Sequence, residues 1–393
     1  MALSPFRQVL LKVHSRCNLA CDYCYVYRHA DQSWRRRPRM MPPAVVEAVA
    51  RRIAEHAAAW SLPEVEVVLH GGEPLLGGTE SLDFIVGTVR RATAGVTDVS
   101  FSVQTNGLLL DEPMLDLLDR YGISVGVSLD GGRDATDRHR RFADGRGSYG
   151  LVADALERLR GPRYQHLFSG LLCTVDVRND PVAVYEDLLS FQPPRIDLLL
   201  PHGNWTTRPP LRPDNGETPY GDWLVRIFDR WYDTPHGAAM TDIRLFSALL
   251  SLLLGGRSGV ESLGLDPVEF VTVEADGAIE QGDALKTAAE GLAGTGLNVF
   301  DHPFDAALDH PGVRARQEGL TALADECRRC PLVQVCGGGL YAHRYRDGAG
   351  FRHPTVFCPD QQRLINHVRG RVEADLLAAR RPLVTDSAGR CRS

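Results

Sequence analysis

The chain has 393 residues, 44% of them hydrophobic, and a formal charge of −6. That length allows roughly two or three units of about 150 residues. The acidic balance excludes a broad nucleic-acid footprint, which needs clustered Lys and Arg in excess, and the absence of about 18 uninterrupted apolar residues argues against a membrane span. No basic, apolar, small-residue progression marks an export signal, so the nine cysteines are expected as reduced thiols or ligands in the cytosol.

From residue 8 to about 200, apolar runs of strand length alternate with helical patterns. Strands are expected at 8–13, 65–70, 98–105, 123–129, 169–177 and 196–200, and helices at about 43–60, 79–94, 111–120, 148–160 and 181–190. The repeated β/α unit gives about six strands, too few for a closed eightfold barrel; a partial barrel and an open doubly wound sheet both fit. The basic stretch Trp34 to Arg37 is expected as a solvated loop. Pro and Gly thicken over 202–221, a linker or lid. Helices follow near 219–234 and 241–254, where LFSALLSLLLGG reads as buried. A hairpin turns at Asp276-Gly277, a cysteine-rich loop comes next, and a last helix covers about 359–380. Residues beyond about 381 read as a frayed tail.

RCNLACDYCYVYR, at 16–28, spaces Cys17, Cys21 and Cys24 as C-x3-C-x2-C directly after the first strand. Zinc wants four ligands, and only His14 and His29 lie nearby. A disulfide leaves one thiol over. A cubane iron–sulfur cluster held by three thiolates keeps one iron open to another ligand.

The spacing, with Tyr23 in the gap, resembles the radical S-adenosylmethionine (SAM) family. The resemblance implies that the open iron chelates SAM and that reductive cleavage yields a 5′-deoxyadenosyl radical. It assigns SAM contacts to strand ends in order. Gly71, Gly72 and Glu73 of HGGEP hold the amino group, and Gln104 and Asn106 of QTNG with Ser128 and Asp130 of SLDG lie along the ribose and methionyl parts. Arg140 meets the carboxylate, with Arg141 as the competing choice. Carboxyl ends of strands are where α/β sheets bind ligands.

A second set, Cys327, Cys330, Cys336 and Cys358, is spaced C-x2-C-x5-C-x21-C. Four thiolates close a site, and zinc and iron–sulfur both satisfy that count. Behind a radical SAM core the pattern resembles the SPASM extension, matching the ligands of its outer auxiliary [4Fe-4S] cluster. Inner-cluster ligand positions carry Gly282 and Leu340 instead, so one auxiliary cluster is expected. In sulfatase-maturing relatives an Asp directly after the lost cysteine serves as a base, and Asp283 stands there, either as that base or as part of the turn. Cys173 reads as a packed thiol and Cys391 as a bystander.

Phrases at 199–205, 218–232, 269–286 and 336–360 resemble the FxsB-type peptide maturases. That resemblance implies an α/β fold: a partial (β/α)6 radical SAM barrel at 1–201, a linker and helical bridge or lid at 202–260, a SPASM-like auxiliary-cluster domain at 261–380 and a flexible tail at 381–393. It further implies hydrogen abstraction from a ribosomally made precursor peptide, an aromatic-to-Cβ cyclophane crosslink, and an external flavodoxin- or ferredoxin-type electron donor. Thioether and formylglycine formation are alternatives, as is a zinc-stabilised binding module from another class. His202, Trp205, Tyr341, His343, Arg344 and Tyr345 either line a peptide channel or pack the domain junction. No leader-binding domain is evident before the first strand.

Overall fold

The computed structural model describes residues 3–234 and 241–379. The tail expected at residues 381–393, Cys391 included, lies outside them. Among the described residues ten strands form one sheet: β1 (Gln8–His14), β2 (Glu64–Gly71), β3 (Asp98–Thr105), β4 (Ser124–Ser128), β5 (Phe168–Thr174), β6 (Arg195–Leu199), β7 (Asp242–Ile243), β8 (Phe270–Val273), β9 (Ala278–Glu280) and β10 (Gly294–Asn298). Their order is β10-β9-β8-β1-β2-β3-β4-β5-β6-β7, parallel from β8 to β7 and antiparallel across β8, β9 and β10. The two sheet ends do not pair, so the sheet is an open, partial barrel.

Side-chain alternation decides which face carries chemistry. In β2, Val65, Val67 and Leu69 are buried and share a core with Val45, Val49 and Ile53 of α1 (Pro43–Trp60). The intervening Glu66 and Val68 line one interior cavity and His70 another, as residues of opposite parity must. Five further helices follow the strands: α2 (Gly78–Thr93), α3 (Glu112–Tyr121), α4 (Arg133–His139), α5 (Tyr149–Leu159) and α6 (Pro181–Leu189). Capping fixes the starts of α3 and α6: Asp111 accepts from Met114 N at 3.0 Å and Asp180 from Ala183 N at 2.9 Å.

The sheet outruns the six strands expected. Gln8 to Leu11 pair in parallel with Phe270 to Val273, so the hairpin turning at Gly277 (φ 83°) extends the barrel sheet. Arg37, expected in a solvated loop, instead has its side chain largely withdrawn from solvent, pairing with Glu280 at 2.6 Å and Asp276 at 2.8 Å. Opposite charge supplied by β9 and the hairpin turn draws it in. The 202–221 segment is tied to the C-terminal third: Trp205 Nε1 donates to Pro354 O at 2.7 Å and Arg212 Nε to Val356 O at 3.1 Å. The helices α7 (Pro219–Tyr232) and α8 (Arg244–Leu253) then pack against the long final helix, Cys358–Ala379. None of the described helices is long and apolar enough to cross a membrane.

Candidate active site

The loop after β1 carries Cys17, Cys21 and Cys24, all free thiols, on the wall of a cavity of about 180 Å³. The loop is held from below by the end of β2: Gly72 N donates to His14 O at 2.8 Å and Glu73 N to Arg16 O at 2.9 Å. That approach needs glycine. A Cβ on Gly71 would lie 2.4 Å from His14 O, and one on Gly72 would lie 1.9 Å from Tyr27 Oη and 2.5 Å from Arg16 O. Asn106, beyond β3, reaches back with its Nδ2 to Asn18 Oδ1 at 2.7 Å and to Cys17 Sγ at 3.6 Å.

Burial pushes the Cys17 thiol up to about 12 and Cys21 to about 11, the latter opposed by Arg140. Desolvation raises Cys24 as well. Neutral thiols at ordinary pH ionise when a metal takes the thiolate. Three such donors around open space match the ligand set of a cubane with a free corner. His202, on the same wall, adds a buried Nδ1 with no protein partner.

The strand-end groups share the cavity lining with the thiols. Glu73 is 1% exposed and accepts from Leu75 N at 3.0 Å, Thr105 Oγ1 at 2.7 Å and Asn106 N at 2.8 Å. Burial nonetheless raises its carboxyl to about 7, those hydrogen bonds opposing. Tyr23, Gly71, Gly72, Gln104, Ser128 and Arg140 share this wall with Glu73 and Asn106. Asp130 does not; it lies behind, accepting from Tyr23 Oη and from Arg140 Nε at 3.1 Å, and so orients the arginine. Arg141 turns away to Asp137 O. The polar α4, with no apolar period to mark it in the sequence, delivers Arg140 to the cavity.

Asp283 lies outside the cavity lining, connected to it by Tyr25. Tyr25 Oη, on the wall, donates to Asp283 Oδ2 at 2.6 Å, and Lys12 Nζ donates to the same oxygen at 2.7 Å. Burial alone would raise the Asp283 carboxyl; Lys12 overrides it and holds the group far below the usual range, ionised. Lys12 also lies 3.3 Å from His70 Nδ1. The family resemblance flags Asp283, but nothing in the sequence announced Lys12 or Tyr25 as its partners.

The second thiol set sits on the C-terminal loops. Burial raises Cys358 to about 12 and Cys336 to about 11, each pushed further by the other thiols of the set. Gly337, Gly338 and Gly339 run through left-handed φ of 59°, 79° and 72°, and Arg344 donates to all three carbonyls at 2.7–3.0 Å. Among the described residues no three His, Cys, Asp or Glu converge on a point suited to one metal ion. Four thiolates complete the donor set of either a zinc ion or a cubane cluster. Cys173 is buried in β5, as a packed thiol would be.

Residues 11–167 match the radical SAM superfamily. With the open barrel and the three-thiol loop, that match gives the amino-terminal segment as a radical SAM domain of an enzyme whose cofactors are a [4Fe-4S] cluster and SAM. The chain is similar to the cysteine-type anaerobic sulfatase-maturating enzyme of Clostridium perfringens (strain 13 / Type A), 25% identical over 88% of this chain and 90% of that protein. It is similar also to the serine-type anaerobic sulfatase-maturating enzyme of Klebsiella aerogenes, 27% identical over 86% of this chain and 80% of that one. The fold matches native anSMEcpe with bound AdoMet and Cp18Cys peptide at a TM-score of 0.78, 22% identity, covering 95% of this chain and 99% of that chain.

Proposed function

We propose that the protein is a cytosolic peptide maturase that removes hydrogen from a ribosomally made precursor peptide and closes an intramolecular aromatic-to-Cβ crosslink. The observation that carries this reading is a charged carboxylate, Asp283, hydrogen-bonded to the cavity-lining Tyr25 beside the three thiols and Glu73. Cys17, Cys21 and Cys24 would hold the SAM-binding cluster, and Cys327, Cys330, Cys336 and Cys358 one auxiliary [4Fe-4S] cluster. When bound, these groups with SAM supply a 5′-deoxyadenosyl radical and an electron acceptor, fed by an external flavodoxin- or ferredoxin-type donor.

The chain's own residues do the rest. Glu73 meets the ammonium of SAM and Arg140 its carboxylate, with Asp130 fixing the guanidinium. Ring closure costs the peptide one hydrogen atom, one proton and one electron. Asp283 accepts the proton, and Lys12 keeps that carboxylate charged. A second reading, formylglycine formation, is favoured by the similarity to the two sulfatase-maturating enzymes. Co-expression with a short peptide encoded beside this gene, followed by mass spectrometry, separates them. A crosslink removes two hydrogens and leaves a bridge that resists backbone fragmentation; a formylglycine is trapped by a hydrazide. Hydrazide capture without a bridge would overturn the crosslinking reading.

A further inference from the structure

A second cavity, of about 250 Å³, lies behind the first and shares Leu199, Leu200 and His202 with it. Its walls are largely aliphatic, from β6, α7, α8 and the final helix. Most of its polar lining is already committed: Arg244 pairs with Asp197 at 2.7 Å, Glu261 with Arg316 at 2.6 Å, and Gln361 Oε1 accepts from Cys336 Sγ at 3.2 Å. His343 is different. It is 3% exposed, and neither ring nitrogen has a partner. The Nδ1 of His202 is equally unpartnered, and the two rings meet edge to face with centroids 5.8 Å apart. Burial lowers both imidazoles, so each is neutral at ordinary pH.

A neutral imidazole carries one donor and one acceptor. Leaving both unmade in an apolar chamber is costly, so such groups call for an occupant. The other residues grouped with these histidines by sequence are otherwise engaged: Trp205 with Pro354 O, Arg344 with the glycine carbonyls, and Tyr341 stacked on Phe351 with centroids 4.1 Å apart. We infer that this second chamber receives a phenolic side chain of the peptide substrate, its ring against the leucine wall and its hydroxyl on His343. A phenol suits both halves, because one hydroxyl donates and accepts while the ring fills the apolar space. The shared wall sets that ring beside the cavity in which hydrogen is removed, which identifies the aromatic partner of the crosslink. This inference rests on the peptide-maturase reading.

The test uses anaerobically reconstituted full-length enzyme and two probes, p-cresol and toluene, with saturation-transfer NMR titration. Saturable p-cresol binding is expected, with toluene binding about tenfold more weakly for want of the hydroxyl contact. His343→Leu should erase that preference. Leu263→Trp, which fills the chamber, should abolish binding of both probes while iron content and SAM binding persist; if that variant misfolds, His343→Leu still decides. Equal affinity for the two probes, or a preference unchanged by His343→Leu, overturns the inference. The outcome is independent of turnover: probe binding without any modified peptide would sink the maturase reading alone, and modified peptide without probe binding would sink the chamber alone.

Discussion

The two cysteine regions solve opposite problems. The first set lies half-buried on the wall of a cavity and supplies three thiols, with Glu73 and Arg140 in the same lining. The second supplies four thiols on loops whose glycine turn is clamped by Arg344, and none of the four lines the first cavity. A centre that must receive a ligand needs room and opposing charge. A centre that only exchanges electrons needs a complete donor set and a rigid loop.

The sharpest way to break this contrast is to remove one thiol from each region. Cys17→Ala, Cys21→Ala or Cys24→Ala should abolish 5′-deoxyadenosine formation, read by chromatography, and remove about four irons per chain. Cys358→Ala should also remove about four irons yet keep SAM cleavage while losing modified peptide. Loss of SAM cleavage in Cys358→Ala with the first cluster intact would erase the proposed division.

Asp283→Asn should leave both iron contents and SAM cleavage in place and lower peptide modification by about a hundredfold or more. Because Lys12 would then be buried without its counter-charge, thermal unfolding should show a loss of about 3 kcal/mol. Unchanged turnover would take Asp283 out of the chemistry and leave it as a structural partner of Lys12.

Glu73 tests the cavity side through pH. Its buried carboxyl titrates near 7, and only the ionised form attracts the SAM ammonium. Calorimetric SAM affinity should therefore fall as pH drops below about 7, approaching tenfold per pH unit. The sign for stability is opposite: a carboxyl raised in the fold contributes stability below its unfolded value and loses it as pH rises through about 7. The smallest effects expected are steric. Gly72→Ala should loosen the first loop and Gly337→Ala, whose Cβ would fall 1.6 Å from Gly264 O, the second, each by about 1–3 kcal/mol. Iron analysis should show each variant losing its own cluster first.

Much of this was legible in the sequence because it was written in spacing and period. The six barrel strands and the turn at Gly277 follow from local pattern and the thiol sets from spacing, while the strand-end motifs stand out through the family resemblance. What escaped depends on contacts between distant segments. Nothing near Arg37 predicts its burial, because its partners Asp276 and Glu280 arrive with the hairpin. The polar helix α4 has no apolar stripe to reveal it. Asp130 reads as a ligand contact from its motif, yet its oxygens are taken by Tyr23, Arg140 and Thr174 N. The joining of β8 to β1 is equally invisible, since a short edge strand carries no address for its neighbour.

That joining has a consequence for biosynthesis. The strand leading into the first thiol loop borders β2 on one side and, on the other, a strand from beyond residue 269. Pairings between segments so distant in the chain form late. During translation the loop's supporting strand keeps one raw edge until the ribosome has made more than two thirds of the protein. A chain truncated before residue 269 would be expected to keep that edge open and to be prone to edge-to-edge aggregation.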